Sequence, residues 1–227
     1  MGKRFFIILG GSGKLGRELY KYISDYYIGC RCILTFSNHN LKQDVESYHV
    51  NFLCKDSVDE FLRVLSDIFV DDQKVDVCVI NAMGKYYKED FAEFSADMFE
   101  QTMAVHCTNF CYFLSKIIND KSIVRFNCIY ISSNLTLRCN KGTYSYIASK
   151  QAGESIMKQL AAEHKYETNY RFNIIAPGYF GDMLGNDSLV KNYNVTNDIC
   201  RAIVFFDNCN ITSGSKIVID GGETIGY

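Results

Sequence analysis

One proline, Pro177, stands in 227 residues, so no proline-rich hinge divides the chain. No low-complexity linker, charge block or internal repeat breaks it either. The length suits one domain over residues 1–227. No segment approaches the roughly 20 apolar residues of a membrane span. The apolar run Phe5–Leu9 after Lys3 and Arg4 is shorter than the roughly 7–15 residues of a signal h-region. It reads as a buried strand. "MGKRFF" lacks the Ser or Thr that a myristoylation signal carries at its sixth position. A net charge of −2 gives no electrostatic reason to expect nucleic acid or a membrane surface as partner. No Cys/His cluster has zinc spacing, and no metal is expected. The ten cysteines are scattered, many in apolar runs such as "DVCVI" and "FNCIYIS", where cysteine behaves as a small hydrophobe. They read as reduced thiols of a cytoplasmic protein.

What is present is an alternation. Apolar runs over Arg4–Gly10, Arg31–Ser37, Tyr48–Leu53, Val75–Ala82, Phe126–Ser133, Tyr170–Gly178 and Ser215–Gly222 read as strands. Several are apolar on both faces, as in a parallel sheet covered by helices. Helical stretches are expected at Lys14–Tyr27, Ser57–Val70, Ser95–Asn119, Tyr144–Tyr166 and Thr196–Phe206. Strand and helix alternating from end to end predict an α/β fold, a doubly wound, Rossmann-type parallel sheet of about seven strands with helices on both faces. "DKSIVRF" reads as a solvated connector, and the aromatic stretches "YKYISDYY" and "FCYF" as packed helix faces or a subunit contact. His39, His49 and His164 read as surface residues.

The first strand runs into "GGSGKLG", with glycines at 10, 11, 13 and 16 before a helix. The spacing Gly10, Gly13, Gly16 permits a tight turn and close approach of backbone to a pyrophosphate. The helix start then offers free N–H groups and a positive dipole end. It is not a Walker A loop, because Leu15 follows Lys14 where Ser or Thr would stand. The second strand ends "LTFSNHN" without the carboxylate that holds an adenosine ribose and repels a 2′-phosphate. Ser37, Asn38 and Lys14 can bind a phosphate instead, which favours NADP(H) over NAD(H).

Tyr146 and Lys150 are four residues apart, which on a helix is one turn along one face. A phenol is protonated at neutral pH, and a neighbouring ammonium stabilises phenolate and lowers its pKa. Such a phenol can exchange a proton with a carbonyl or alcohol oxygen. Ser133, thirteen positions before Tyr146, closes the strand of "YISSN". It stands where an open α/β sheet places ligands, and its hydroxyl can hold a carbonyl.

In combination, the glycine turn, "INAMG", "ISS", "YIASK", "NIIAPG" and "ITSGSKIVIDGG" resemble the short-chain dehydrogenase/reductase family over essentially the whole chain. The resemblance implies a catalytic Ser-Tyr-Lys group at Ser133, Tyr146 and Lys150, with Lys150 also holding the nicotinamide ribose. It implies a cofactor turn at Gly10, Ser12, Gly13, Lys14, Leu15 and Gly16. It also implies cofactor contacts at Asn81, Ala82, Pro177 and Gly178, and a dimer or tetramer formed through the Tyr146 helix, whose face at Ala148, Ala152 and Ile156 allows it. Tyr144 is left to packing or substrate contact.

The chain also departs from that family. In the helix of "SADMFEQTMAVHCTN" the family carries a relay asparagine. His106 stands there, with Cys107 and Asn109 as neighbouring alternatives. His106 either binds the relay water or is a helix-interior histidine with a backbone partner. Lys14 stands where compact members have a glycine. Asn51 stands where an aspartate often meets the adenine amine, and Asp182 of "GYFGDML" where a threonine meets the nicotinamide amide. The substrate loop near 179–192 is short, which suits a bulky or carrier-bound substrate or a site completed by a partner.

The expected function is an NAD(P)-dependent oxidoreductase, a carbonyl reductase or alcohol dehydrogenase acting on a small-molecule or carrier-bound carbonyl or alcohol. The alternative is a non-catalytic cofactor sensor or assembly subunit on the same fold, prompted by Lys14, His106 and Asp182. Intact Ser133, Tyr146 and Lys150 argue against it. Epimerase or dehydratase chemistry on the fold is a third reading, but those relatives are generally longer.

Overall fold

Strand β1 (Lys3–Leu9) shows why the chain builds a two-sided sheet. Phe5, Ile7 and Leu9 enter one core and Phe6 and Ile8 the other, and none is exposed. Both sides of an alternating strand can be apolar only when both are covered. The computed structural model describes residues 3–38, 41, 44–72, 74–84, 86–138, 140–179 and 195–225. After β1 come α1 (Lys14–Tyr26), β2 (Arg31–Phe36), β3 (Ser47–His49), α2 (Lys55–Val70), β4 (Val75–Asn81), α3 (Ala96–Met103) and α4 (Asn109–Ile117). Then follow β5 (Ile123–Ile131), α5 (Tyr144–Glu163), β6 (Tyr170–Pro177), α6 (Val195–Asn208) and β7 (Lys216–Ile219). The seven strands are all parallel, in the order β3-β2-β1-β4-β5-β6-β7. The order reverses between β1 and β4, where open sheets of this kind leave a crevice for ligands.

Helices cover the faces by their apolar stripes. Leu15, Leu19 and Ile23 of α1 and Ile199, Ile203 and Phe206 of α6 pack on one side. Phe61, Leu65 and Phe69 of α2, Phe110 and Phe113 of α4, and Met157 of α5 pack on the other. Among the described residues, no helix is long and apolar enough to cross a membrane. The described cysteines are free thiols.

Four expectations need correction. The helix expected over Ser95–Asn119 is broken by a π-helical turn, Ala104–Thr108, between α3 and α4. The third strand is shorter than Tyr48–Leu53, because the Asn51 side chain accepts from Leu53 N–H at 3.0 Å and turns the chain out of the sheet. "DKSIVRF" is not a solvated connector: β5 already begins at Ile123, which is buried, and Arg125 donates to the Asp207 carbonyl at 3.1 Å. His164 is half-buried and stacked on Tyr170, with centroids 5.1 Å apart, because the ring closes the end of the sheet. Apart from Tyr179, the expected substrate loop lies outside the described residues, as do Asp182 and His39.

Candidate active site

The glycine turn is packed as its spacing requires. Gly10 has φ +82°, a conformation that favours glycine, and a Cβ there would stand 3.0 Å from the backbone of Ala82 and Met83. A Cβ on Gly16 would stand 2.5 Å from the Gly10 carbonyl oxygen, so only glycine lets α1 lie this close to β1. Thr35, near the end of β2, fixes the turn from outside. Its hydroxyl accepts from Gly10 N–H at 3.0 Å and its carbonyl from Gly11 N–H at 2.7 Å. The first turn of α1 has no side-chain cap bond and no acidic residue, a helix start that suits an anion.

Beside this turn opens a cleft of about 690 Å³. Gly10, Ser12, Gly13, Lys14, Leu15 and Gly16 line it, with Ser37, Asn38, Asn51 and Ala82. The other expected contacts are placed elsewhere. Asn81 is fully buried, and its side-chain oxygen accepts from Met83 N–H at 3.1 Å, holding the turn after β4. Pro177 and Gly178 are buried at the end of β6, and a Cβ on Gly178 would stand 2.9 Å from Asp220. The cleft also takes in residues that pattern reading missed, among them Thr35, Phe36, His49, Met83, Tyr86 and Val105. A glycine cradle that side chains would fill, a helix start without a side-chain cap and a cleft whose described lining holds no carboxylate together fit a dinucleotide.

Ser133, Tyr146 and Lys150 come together at the C-terminal end of β5 and the first turns of α5. The Tyr146 phenol lies beside the Ser133 hydroxyl, and Lys150 Nζ stands 5.9 Å from the Tyr146 ring centre. Lys150 is 2% exposed, and its Nζ donates to the Met83 carbonyl at 3.1 Å and the Ile131 carbonyl at 2.9 Å. Burial pushes this amine down to about 7, and Glu154 one turn along pulls it back up. Burial raises the Tyr146 phenol above its ordinary value, and the neighbouring Ser133 hydroxyl acts the other way.

His106 lies in the π-helical turn, fully buried, its Nδ1 2.9 Å from Ser149 Oγ and its ring edge-on to Tyr146 with centroids 5.6 Å apart. π-helical turns of this sort cluster at functional sites. Of the two neighbouring alternatives, Asn109 donates to the Phe52 carbonyl at 2.7 Å, and Cys107 is buried. Tyr130, on β5, donates its hydroxyl to the His106 carbonyl at 3.0 Å. Its ring fills the space over Gly153, where a Cβ would stand 2.3 Å from the Tyr130 hydroxyl oxygen.

Two further residues hold this group. Tyr86 stands edge-on to Tyr146 with centroids 5.3 Å apart. Glu89, 8% exposed, accepts from Ser145 N–H at 2.7 Å and so caps α5, whose N-cap Thr143 makes no side-chain cap bond. No local signal marks Glu89, because the cap comes from a loop 56 residues earlier. Tyr144 is 40% exposed and packs on Phe91, centroids 5.0 Å apart.

No curated protein matches the sequence. Among solved structures, 4-hydroxyisoleucine dehydrogenase complexed with NADH is similar, at 22% identity and TM-score 0.85, over 99% of this chain and 100% of that one. The same dehydrogenase complexed with NADH and succinate gives 22% identity and TM-score 0.84, over 97% and 100%. At such identity the likeness speaks for the fold. The sequence model of the short chain dehydrogenases matches residues 5–189, most of the strands described above, and the chain belongs to that family.

Proposed function

We propose that the protein is an NADP(H)-preferring carbonyl reductase or alcohol dehydrogenase, with Tyr146 as its general acid/base. The observation that supports this is the meeting of Ser133, Tyr146 and Lys150 beside a cleft shaped for a dinucleotide. A bound nicotinamide dinucleotide supplies or accepts the hydride. Ser12, Gly13, Lys14 and Leu15 would hold its phosphates at the start of α1, and Ser37 and Asn38 its adenosine end. Ser133 orients the substrate carbonyl. Tyr146 gives its phenolic proton to the carbonyl oxygen, and burial keeps that proton in place until it is needed. Lys150, when protonated, stabilises the phenolate left behind. His106, against the Tyr146 ring, would return a proton through a water. The preference for NADP(H) rests on a cleft with no carboxylate at the end of β2.

Tyr86, exposed against Tyr146, and an exposed cluster in which Phe91 packs on Phe94 and Tyr144 suit a bulky or carrier-bound carbonyl substrate. Ala148, Ala152 and Ile156 are half-buried along α5 and leave this face available to a second copy.

The test is Tyr146→Phe, assayed on a panel of carbonyl compounds with NADPH and NADH. Turnover should vanish while cofactor still raises the melting temperature; at about 100 times its dissociation constant a cofactor adds roughly 2.7 kcal/mol. Full activity in the variant removes Tyr146 from the mechanism. Cofactor binding by the unmodified protein, with no turnover of any compound, would favour a sensor role.

A further inference from the structure

We infer that His49 reads the 2′-phosphate at the adenosine end, so that the choice between NADP and NAD changes with pH. This rests on the cofactor reading above and adds to it a residue and a regulation. His49 closes β3, and the strand register pairs it with Phe36, the last residue of β2. Its ring stands edge-on to the Phe36 ring, centroids 5.7 Å apart. Its Nε2 lies 3.1 Å from the Ser37 carbonyl oxygen. A carbonyl only accepts, so Nε2 carries a hydrogen in the neutral ring, and protonation takes place at Nδ1. The proton therefore adds a charge and a second donor without breaking the contact that holds the ring.

The described lining of the cleft offers that charge no carboxylate. Among the described residues that line it, Lys14 from the glycine turn is the other cation. Ser37 and Asn38 beyond β2 and Asn51 beyond β3 are neutral, Tyr86 and Tyr87 are phenols, and no carboxylate is present. His49 itself is exposed. The counter-charge has to come with the ligand. A 2′-phosphate monoester carries about −1.5 to −2 charges near neutral pH, whereas NAD presents a hydroxyl at the same place. A histidine side chain changes charge between about pH 5 and 8. Protonated His49 attracts NADP and is indifferent to the hydroxyl of NAD.

Isothermal titration with the oxidised cofactors, NADP⁺ and NAD⁺, at about pH 6 and about pH 8 tests this. The NADP⁺ dissociation constant should rise roughly two- to fivefold between the two, the size of an exposed, screened ion pair. That of NAD⁺ should stay level. The phosphate's own ionisation near pH 6 pulls the other way, so the NADP⁺ slope in His49→Gln should flatten or reverse. A slope kept in His49→Gln, or equal slopes for both cofactors, overturns the role of His49 and leaves the cofactor reading standing. Binding of NAD⁺ alone at both pH values overturns the NADP reading and this inference with it, and binding of neither overturns the dinucleotide reading as a whole.

Discussion

Among the described residues, Arg171 on β6 and Lys150 on α5 are cations buried toward opposite ends of the sheet, each 2% exposed. Arg171, near the start of β6, donates to the carbonyls of Phe206 at 2.7 Å and Asp207 at 3.0 Å, and also to that of Cys209. Asp207 in turn accepts from Arg4, from Tyr27 at 2.7 Å and from Asn127 at 3.2 Å, so this end joins its cations to an acid. Lys150, at the other end, has two carbonyls and an acid one turn away. Burial pushes both groups down. A guanidinium keeps its proton all the same, while an amine at about 7 can lose it. The cation that cannot change charge sits where the fold is tied together, and the one that can change sits beside the tyrosine.

Removing each cation should separate those roles. Arg171→Met leaves three buried carbonyls without their donor and Asp207 short of positive charge. It should cost about 3–5 kcal/mol in urea unfolding at neutral pH. Lys150→Met should cost clearly less. Equal losses would erase the contrast.

A smaller effect sharpens it. The folded-state value of Lys150, about 7, lies below its ordinary 10.5, so between the two the unfolded chain holds the extra proton. Stability therefore rises with pH across that window, approaching about 1.4 kcal/mol per pH unit. Unfolding midpoints of the unmodified protein and of Lys150→Met should accordingly diverge in favour of the former from neutral pH toward pH ~8.5. A constant difference would mean that Lys150 is not held low by burial.

The smallest effect is expected from Tyr130→Phe. It takes one donor from the buried His106 carbonyl and should cost about 1 kcal/mol of unfolding free energy. No change in stability would mean that the π-helical turn finds another donor.

The frame of the molecule was legible because burial on both faces writes strands as short apolar runs, and Phe5 to Leu9 could hardly be anything else. The glycine turn, Ser133, Tyr146 and Lys150 were legible because fixed spacing on a turn or helix dictates who meets whom. What escaped depends on approach through space. Thr35 and His49 enter the cleft from neighbouring strands, and Glu89 reaches α5 from another loop. The π-helical turn left no mark, since the sequence around His106 reads as one unbroken helix. The start of β5 was missed because exposed Val124 and charged, half-buried Arg125 interrupt its apolar run.

The contact between Tyr130 and Gly153 has a consequence for descent. The hydroxyl of one occupies the place where any side chain on the other would begin. A methyl group at 153 is barred while the tyrosine stays, and a small residue at 130 would leave a hole beneath α5. The constraint runs one way: position 130 can shrink while Gly153 stays, but a side chain at 153 is expected only beside a smaller or displaced residue at 130.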